Sequence, residues 1–210
     1  MNESMLADIH GNAPVSPPKS RLSPEAHDFF YAINGLYSSV RRFSVLEKMF
    51  RRYPWRGVVS KAEPLQSVYY LFVHECYVFE ERLGKLLSTA ASYSSAVGLP
   101  VELKQSTKEI MRQNKRVFGS FVRMRGQHIH QDEFLPRDVR RIGLLESMSF
   151  AYGARDADAR KVWGEYHDLV AAEVRKTWLG HCVEARKSSE QLAILAFRQT
   201  RPLWMRLSQE

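Results

Sequence analysis

The chain has 210 residues, 44% of them hydrophobic and 26% charged, which is enough apolar material for one sizeable core and too much for disorder throughout. Lysine and arginine outnumber aspartate and glutamate by 31 to 23, a formal net charge of +8. No apolar run is longer than Val68 to Val73, which is far shorter than the roughly 20 residues a helix needs to cross a bilayer. The first residues carry acids and lack the apolar stretch of a secretory leader. Two cysteines, Cys76 and Cys182, are too few for a disulfide framework and too distant for a zinc motif, so the expectation is a soluble cytoplasmic protein with reduced thiols.

Residues 1–22 contain Pro14, Pro17 and Pro18 with few large apolar groups, and read as a loosely ordered tail before one domain over 23–205. Ser23-Pro24-Glu25 supplies an N-cap, a proline suited to the first helical position and an acid suited to the dipole. The apolar positions Phe29, Ile33, Leu36, Val40, Phe43, Leu46 and Phe50 then step by three and four until Pro54 halts the helix. A second helix opens at Pro64, carries Val68, Phe72, Phe79, Leu83 and Leu86, and should be the most buried of all. Gly98 and Pro100 end it.

A third helix places Leu103, Ile110, Val117 and Phe121 on one side and basic residues on the other, up to about Gly126. Pro136 starts a fourth, with Val139, Ile142, Leu145, Met148 and Tyr152 at helical spacing. The fifth runs from Ala157 through Trp163, Val170, Trp178, Cys182 and Leu192, with a kink placed near Gly180 and an end at Pro202. No stretch alternates as a strand does, and no repeat of solenoid length occurs, so the predicted fold is an all-α, up-and-down bundle of about five helices.

The positive charge is concentrated. Residues 41–61 hold Arg41, Arg42, Lys48, Arg51, Arg52, Arg56 and Lys61 against Glu47 alone. Residues 104–125 hold Lys104, Lys108, Arg112, Lys115, Arg116, Arg123 and Arg125 against Glu109 alone. The rest of the chain is mildly acidic. Two basic segments on two helices point to a phosphate-bearing partner, RNA in particular, bound through Arg41, Arg42, Arg51, Arg52, Lys104, Lys108, Arg112, Lys115 and Arg116. Two solvated helix faces would have the same composition.

The second basic segment runs into Arg123-Met124-Arg125-Gly126-Gln127-His128-Ile129-His130. Helical phase turns Arg125 toward the bundle and Arg123 toward water, with Glu75 or Glu80 the expected carboxylate for Arg125. An arginine beside an imidazole suits RNA cleavage. A neutral histidine can take the proton of a ribose 2′-hydroxyl near pH 7, while the guanidinium stabilises charge growing on phosphorus, with no metal or other cofactor required. Equally, Arg125 can serve only as a cation near the end of a helix. His128-x-His130 has no third residue at metal-ligand spacing, so no metal is expected there.

An all-helical bundle with arginine, four to six residues, then histidine resembles the HEPN superfamily. That family includes RNA-cleaving toxins, phage-defence nucleases and inactive binding domains. The match is best over Arg125 to His130, and Arg123 with His128 or His130 also satisfies the spacing. The family usually places Asn, Asp or His after the arginine, where this chain has Gly126. The resemblance implies a homodimer that completes a shared cleft, with His130 as acid or base, Arg125 stabilising the phosphate, and the possibility of a neutralising partner protein. The alternative is a non-catalytic helical module whose basic face docks an acidic protein or nucleic acid.

Elsewhere, His74-Glu75-Cys76 looks like a nucleophile cluster, but Cys76 lies in core phase with Phe72 and Phe79 and reads as a buried structural thiol. No glycine-rich phosphate loop, Gly-x-Ser-x-Gly elbow or His-Glu-x-x-His is present.

Overall fold

A computed structural model describes residues 22–53, 60, 62–99, 103–130, 136–154 and 156–209. The tail expected over residues 1–22 lies outside the described residues apart from Leu22, as do Arg56 and Lys61 of the first basic segment. Five helices account for the described chain: α1 (Pro24–Arg52), α2 (Ala62–Ala96), α3 (Leu103–His130), α4 (Arg137–Gly153) and α5 (Ala157–Leu207). No strand occurs among the described residues.

The helix ends follow from the local sequence. The Ser23 hydroxyl accepts a hydrogen bond from the Ala26 amide at 3.2 Å, satisfying one of the free donors that begin α1. After α2, Gly98 adopts a φ of 66°. There the Leu99 amide reaches back to the Ser94 carbonyl at 3.1 Å and the Gly98 amide to Ser95, a left-handed cap that a residue with a Cβ would adopt only under strain. Asp156 caps α5 through the amides of Asp158 and Ala159.

Two helices outrun the positions at which sequence would stop them. α3 continues helically to His130, past Gly126. α5 is unbroken at Gly180 and passes through Pro202 to Leu207, about 75 Å of helix at 1.5 Å per residue. Proline removes one backbone donor, but Leu203 in the following turn is fully buried, and the Trp204 indole donates to the Phe197 carbonyl in the turn that the proline opens. Burial on the far side of the proline offsets the lost bond.

α1 and α2 pack antiparallel, with Phe29 against Tyr93 toward one end and Phe50 against Phe72 toward the other. α2 and α3 do the same, and α2 touches all four other helices, as the width of its apolar stripe predicts. α5 also packs against all four. No Cα of α1 comes within 8 Å of one in α3, so these two helices sit diagonally across the bundle. They meet through rings: Phe43 lies 5.8 Å from Phe118, 6.0 Å from Phe79 and 6.3 Å from Phe72, all four fully buried. Trp178 of α5 closes this cluster against Tyr69, Phe72 and Phe121, and its indole donates to Asp138 of α4.

α4 lies against α5 and the first turns of α2, where Glu146 accepts from the Ser60 hydroxyl and the Ala62 amide. Its last two turns, with the start of α5, therefore extend beyond the first residue of α2. None of the described helices is long and apolar enough to cross a membrane.

Candidate nucleic-acid interface on the third helix

α3 buries Ile110, Asn114 and Phe118, each four residues after the last, and half-buries Val117 and Phe121 beside them. The opposite face is left to solvent, so the basic residues of this segment emerge together. Lys108, Arg112, Lys115 and Arg116 are all exposed and surround, with the partly buried Met111, a shallow cleft of about 470 Å³. The acid among them is Glu109, which accepts from Arg112 and from Gln113. The Gln113 bond is the leading cause that holds its carboxyl below the ordinary range; burial opposes it and Arg112 and Arg116 assist. Lys104 precedes this group on the same helix, and its side chain lies outside the described residues.

The first basic segment stands elsewhere and is differently occupied. Arg42 is paired with Glu75 at 3.2 Å, Arg51 with Glu47 at 2.7 Å, and the Arg41 guanidinium lies 5.9 Å from the Tyr37 ring centre. Arg52 is exposed at the end of α1. Because α1 and α3 are diagonal, the two segments that sequence would join into one surface sit on opposite flanks of the ring cluster.

Farther along α3, the two arginines part as helical phase requires. Arg123 is exposed, its guanidinium folded back over Gly119. Arg125 reaches α2, where its guanidinium carbon sits 3.7 Å from the centre of the Tyr77 ring, and the Tyr77 hydroxyl in turn donates to Glu81. That Glu81 bond is the leading cause raising the Tyr77 hydroxyl above its ordinary range.

Neither carboxylate expected for Arg125 is its partner. Glu75 is buried and accepts from the Ser39 hydroxyl at 2.7 Å and from Arg42, and Glu80 accepts from the Asn114 amide at 2.9 Å. Glu75 faces α1 and Glu80 faces the middle of α3, which phase on α2 decides and polarity alone does not. Tyr77 and Glu81 went unrecognised in the sequence, although their spacing of four on α2 would have placed them on one face.

His128 and His130 belong to the last turn of α3 by backbone, and their side chains lie outside the described residues. On a continuous helix, positions 125 and 130 are separated by about 140° around the axis, whereas 123 and 130 differ by about 20°.

Cys76 is fully buried, and burial lifts its thiol well above the ordinary range. Cys182 is likewise buried and pushed up to about 12, so neither is a nucleophile in the folded chain. No group of three or more His, Cys, Asp or Glu side chains that could hold a metal occurs among the described residues. No family model, curated protein or solved structure matches the chain.

Proposed function

We propose that this chain is an RNA-binding helical protein of HEPN-like type whose contact with RNA is made by the exposed face of α3. The observation that carries the reading is the gathering of Lys108, Arg112, Lys115 and Arg116 around one cleft, opposed by the single acid Glu109. Four cations on one face release counterions when they meet phosphates, which is the main source of affinity for a polyanion.

In the catalytic form of this reading, the strand passes from the cleft toward Arg125 and His130. A neutral His130 imidazole takes the proton of a ribose 2′-hydroxyl. The freed oxygen attacks the adjacent phosphorus, the 5′-oxygen leaves, and the product ends in a 2′,3′-cyclic phosphate. Arg125, held against Tyr77, stabilises the charge on the phosphoryl oxygens, with His128 and Arg123 alongside in the same segment. Because positions 125 and 130 stand about 140° apart around α3, this form requires a homodimer in which Arg125 of one copy meets His130 of the other. That homodimer, and a protein that neutralises it, come with the HEPN-like resemblance.

The stacking of Arg125 on Tyr77 also favours a second reading, in which α3 binds without cutting and Arg125 ties it to α2. Incubation with RNA in EDTA separates the two. Cyclic-phosphate ends, lost in both Arg125→Ala and His130→Ala, are the outcome of the catalytic form. Cutting at the parental rate by both variants refutes the assignment, and intact RNA after long incubation leaves the binding module.

A further inference from the structure

We infer that the α4–α5 hairpin is a docking arm whose exposed apolar side packs on the same side of a second copy of this chain, forming a four-helix bundle. The inference goes beyond RNA binding and does not rest on it. It is also separate from the contact that the catalytic reading needs at the end of α3. Eleven large apolar side chains are exposed among the described residues, and six of them, Leu144, Phe150, Tyr152, Val162, Tyr166 and Leu169, are on this hairpin. Apolar groups gathered in this way mark an interaction surface, whereas the same groups scattered singly would not.

Helical phase puts five of the six on one side. Along α4, Arg141, Leu144, Met148 and Tyr152 step by three and four, and along α5, Val162, Tyr166, Leu169 and Glu173 do the same. The two edges adjoin, because the Arg141 guanidinium lies 5.5 Å from the Tyr166 ring centre and Tyr152 stacks on the half-buried Trp163 at 6.0 Å. Among the described helices, α4 packs against α2 and α5 alone. Beyond the first residue of α2 the arm is therefore two helices, which bury only the sides they turn to each other. Tyrosine, tryptophan, methionine and arginine are also the residue types that protein interfaces favour.

Charge and register single out a second copy as the occupant. α4 exposes Arg137, Arg140 and Arg141, while its acids Asp138 and Glu146 are half-buried and hydrogen-bonded within the chain. Over residues 158–173, α5 exposes Asp158, Glu165, Asp168 and Glu173 against Arg160 and Lys161. A hairpin with one cationic and one acidic helix complements itself when α4 of one copy lies on α5 of the other. Within the hairpin, Ser149 stands beside Gly164 and Asp138 accepts from Trp178, which makes Leu144 level with Leu169, Tyr152 with Val162 and Arg141 with Glu173. A twofold axis along the hairpin then sets Leu144 on the second copy's Leu169, Tyr152 on its Val162 and Arg141 beside its Glu173, each contact occurring twice. Neighbouring helices are antiparallel throughout, as in an up-and-down four-helix bundle.

The test is sedimentation velocity of the full chain at micromolar concentration. A dimer is expected. Leu144→Asp/Leu169→Asp should convert it to a monomer with an unchanged far-ultraviolet circular dichroism spectrum, since both side chains are exposed. Arg141→Glu and Glu173→Arg should each raise the dimer dissociation constant about tenfold, and an equimolar mixture of the two should regain most of the lost affinity by pairing opposite charges between copies. Arg125→Ala, at the end of α3, should leave the dimer intact. A monomeric parent, or a dimer that survives Leu144→Asp/Leu169→Asp, overturns the inference. A mixture of the two charge variants that stays dissociated overturns the register, and a dimer lost in Arg125→Ala but kept in the hairpin variants moves the contact to α3 and overturns the docking arm.

Discussion

Replacing Phe43 with alanine probes whether α1 and α3 are joined through the central rings. Phe43 is fully buried, and three further buried rings surround it at 5.8 to 6.3 Å, so truncation removes a ring from a site with little room to collapse. Losing a buried phenylalanine costs about 3–5 kcal/mol, against a total stability of about 5–15 kcal/mol for an ordinary domain. At about 2–4 °C per kcal/mol for a chain of this size, the melting midpoint followed by far-ultraviolet circular dichroism should fall by roughly 10–15 °C. Phe43→Leu keeps most of the volume and should lose less than half as much. The sharper assay is a double-mutant cycle by urea denaturation with Phe118→Ala, because the two rings are stacked with an interplanar angle of 28°. A coupling of about 0.5–1.5 kcal/mol is expected. Strict additivity, or a loss below about 1 kcal/mol for Phe43→Ala alone, would refute the reasoning that places these rings at the crossing of α1 and α3.

Two further outcomes follow from buried or paired groups elsewhere. Burial tends to raise the Glu47 carboxyl, but hydrogen bonds from Arg51 and Arg186 outweigh it and leave the group below its ordinary value of 4.5. Its contribution to stability is thus present above that value and lost as pH falls through the lower folded value, so the urea midpoint should drop more steeply with acid in the parent than in Glu47→Gln. Glu47→Gln itself should cost about 1 kcal/mol at pH 7, since it weakens a partly exposed link between α1 and α5. Cys76 and Cys182 should resist a thiol-specific chromogenic reagent in the native protein and react fully in denaturant; rapid native labelling would show that the bundle opens locally.

Periodicity carried a large part of the fold. Phe29, Leu36, Phe43 and Phe50 repeat every seven residues on α1 and are all fully buried, because that spacing returns to nearly the same side of a helix. The breaks at Gly98 and Pro136 were legible for a similar reason, since the conformations these residues adopt are local. The course of α5 through Pro202 was not, because Leu203 is held by packing against distant parts of the chain. Phe118 escaped notice in the third helix for the same reason: its place between Phe43 and Phe79 is defined only once α1 and α2 are assembled.

For the candidate site, the grouping of Lys108, Arg112, Lys115 and Arg116 was readable, since residues on one short stretch of helix carry their own geometry with them. The identity of Arg125's neighbour was not. Tyr77 is 48 positions away in sequence, and only the antiparallel packing of α2 on α3 brings its ring under the guanidinium. Nor could composition single out Arg42, because its pairing with Glu75 depends on which helices are neighbours, whereas Arg51 meets Glu47 one turn back on the same helix.

From the amino-acid order alone come the helical class, the number of helices and the clustering of cations, all of which arise within a few turns of chain through backbone preference and side-chain period. Tertiary structure joined Arg42 to Glu75 and Arg125 to Tyr77 across helices, and it put the two basic helices on opposite flanks. Those cross-helix pairings depend on contacts between residues far apart in the chain, and such distances exist only after the apolar stripes have been buried against one another.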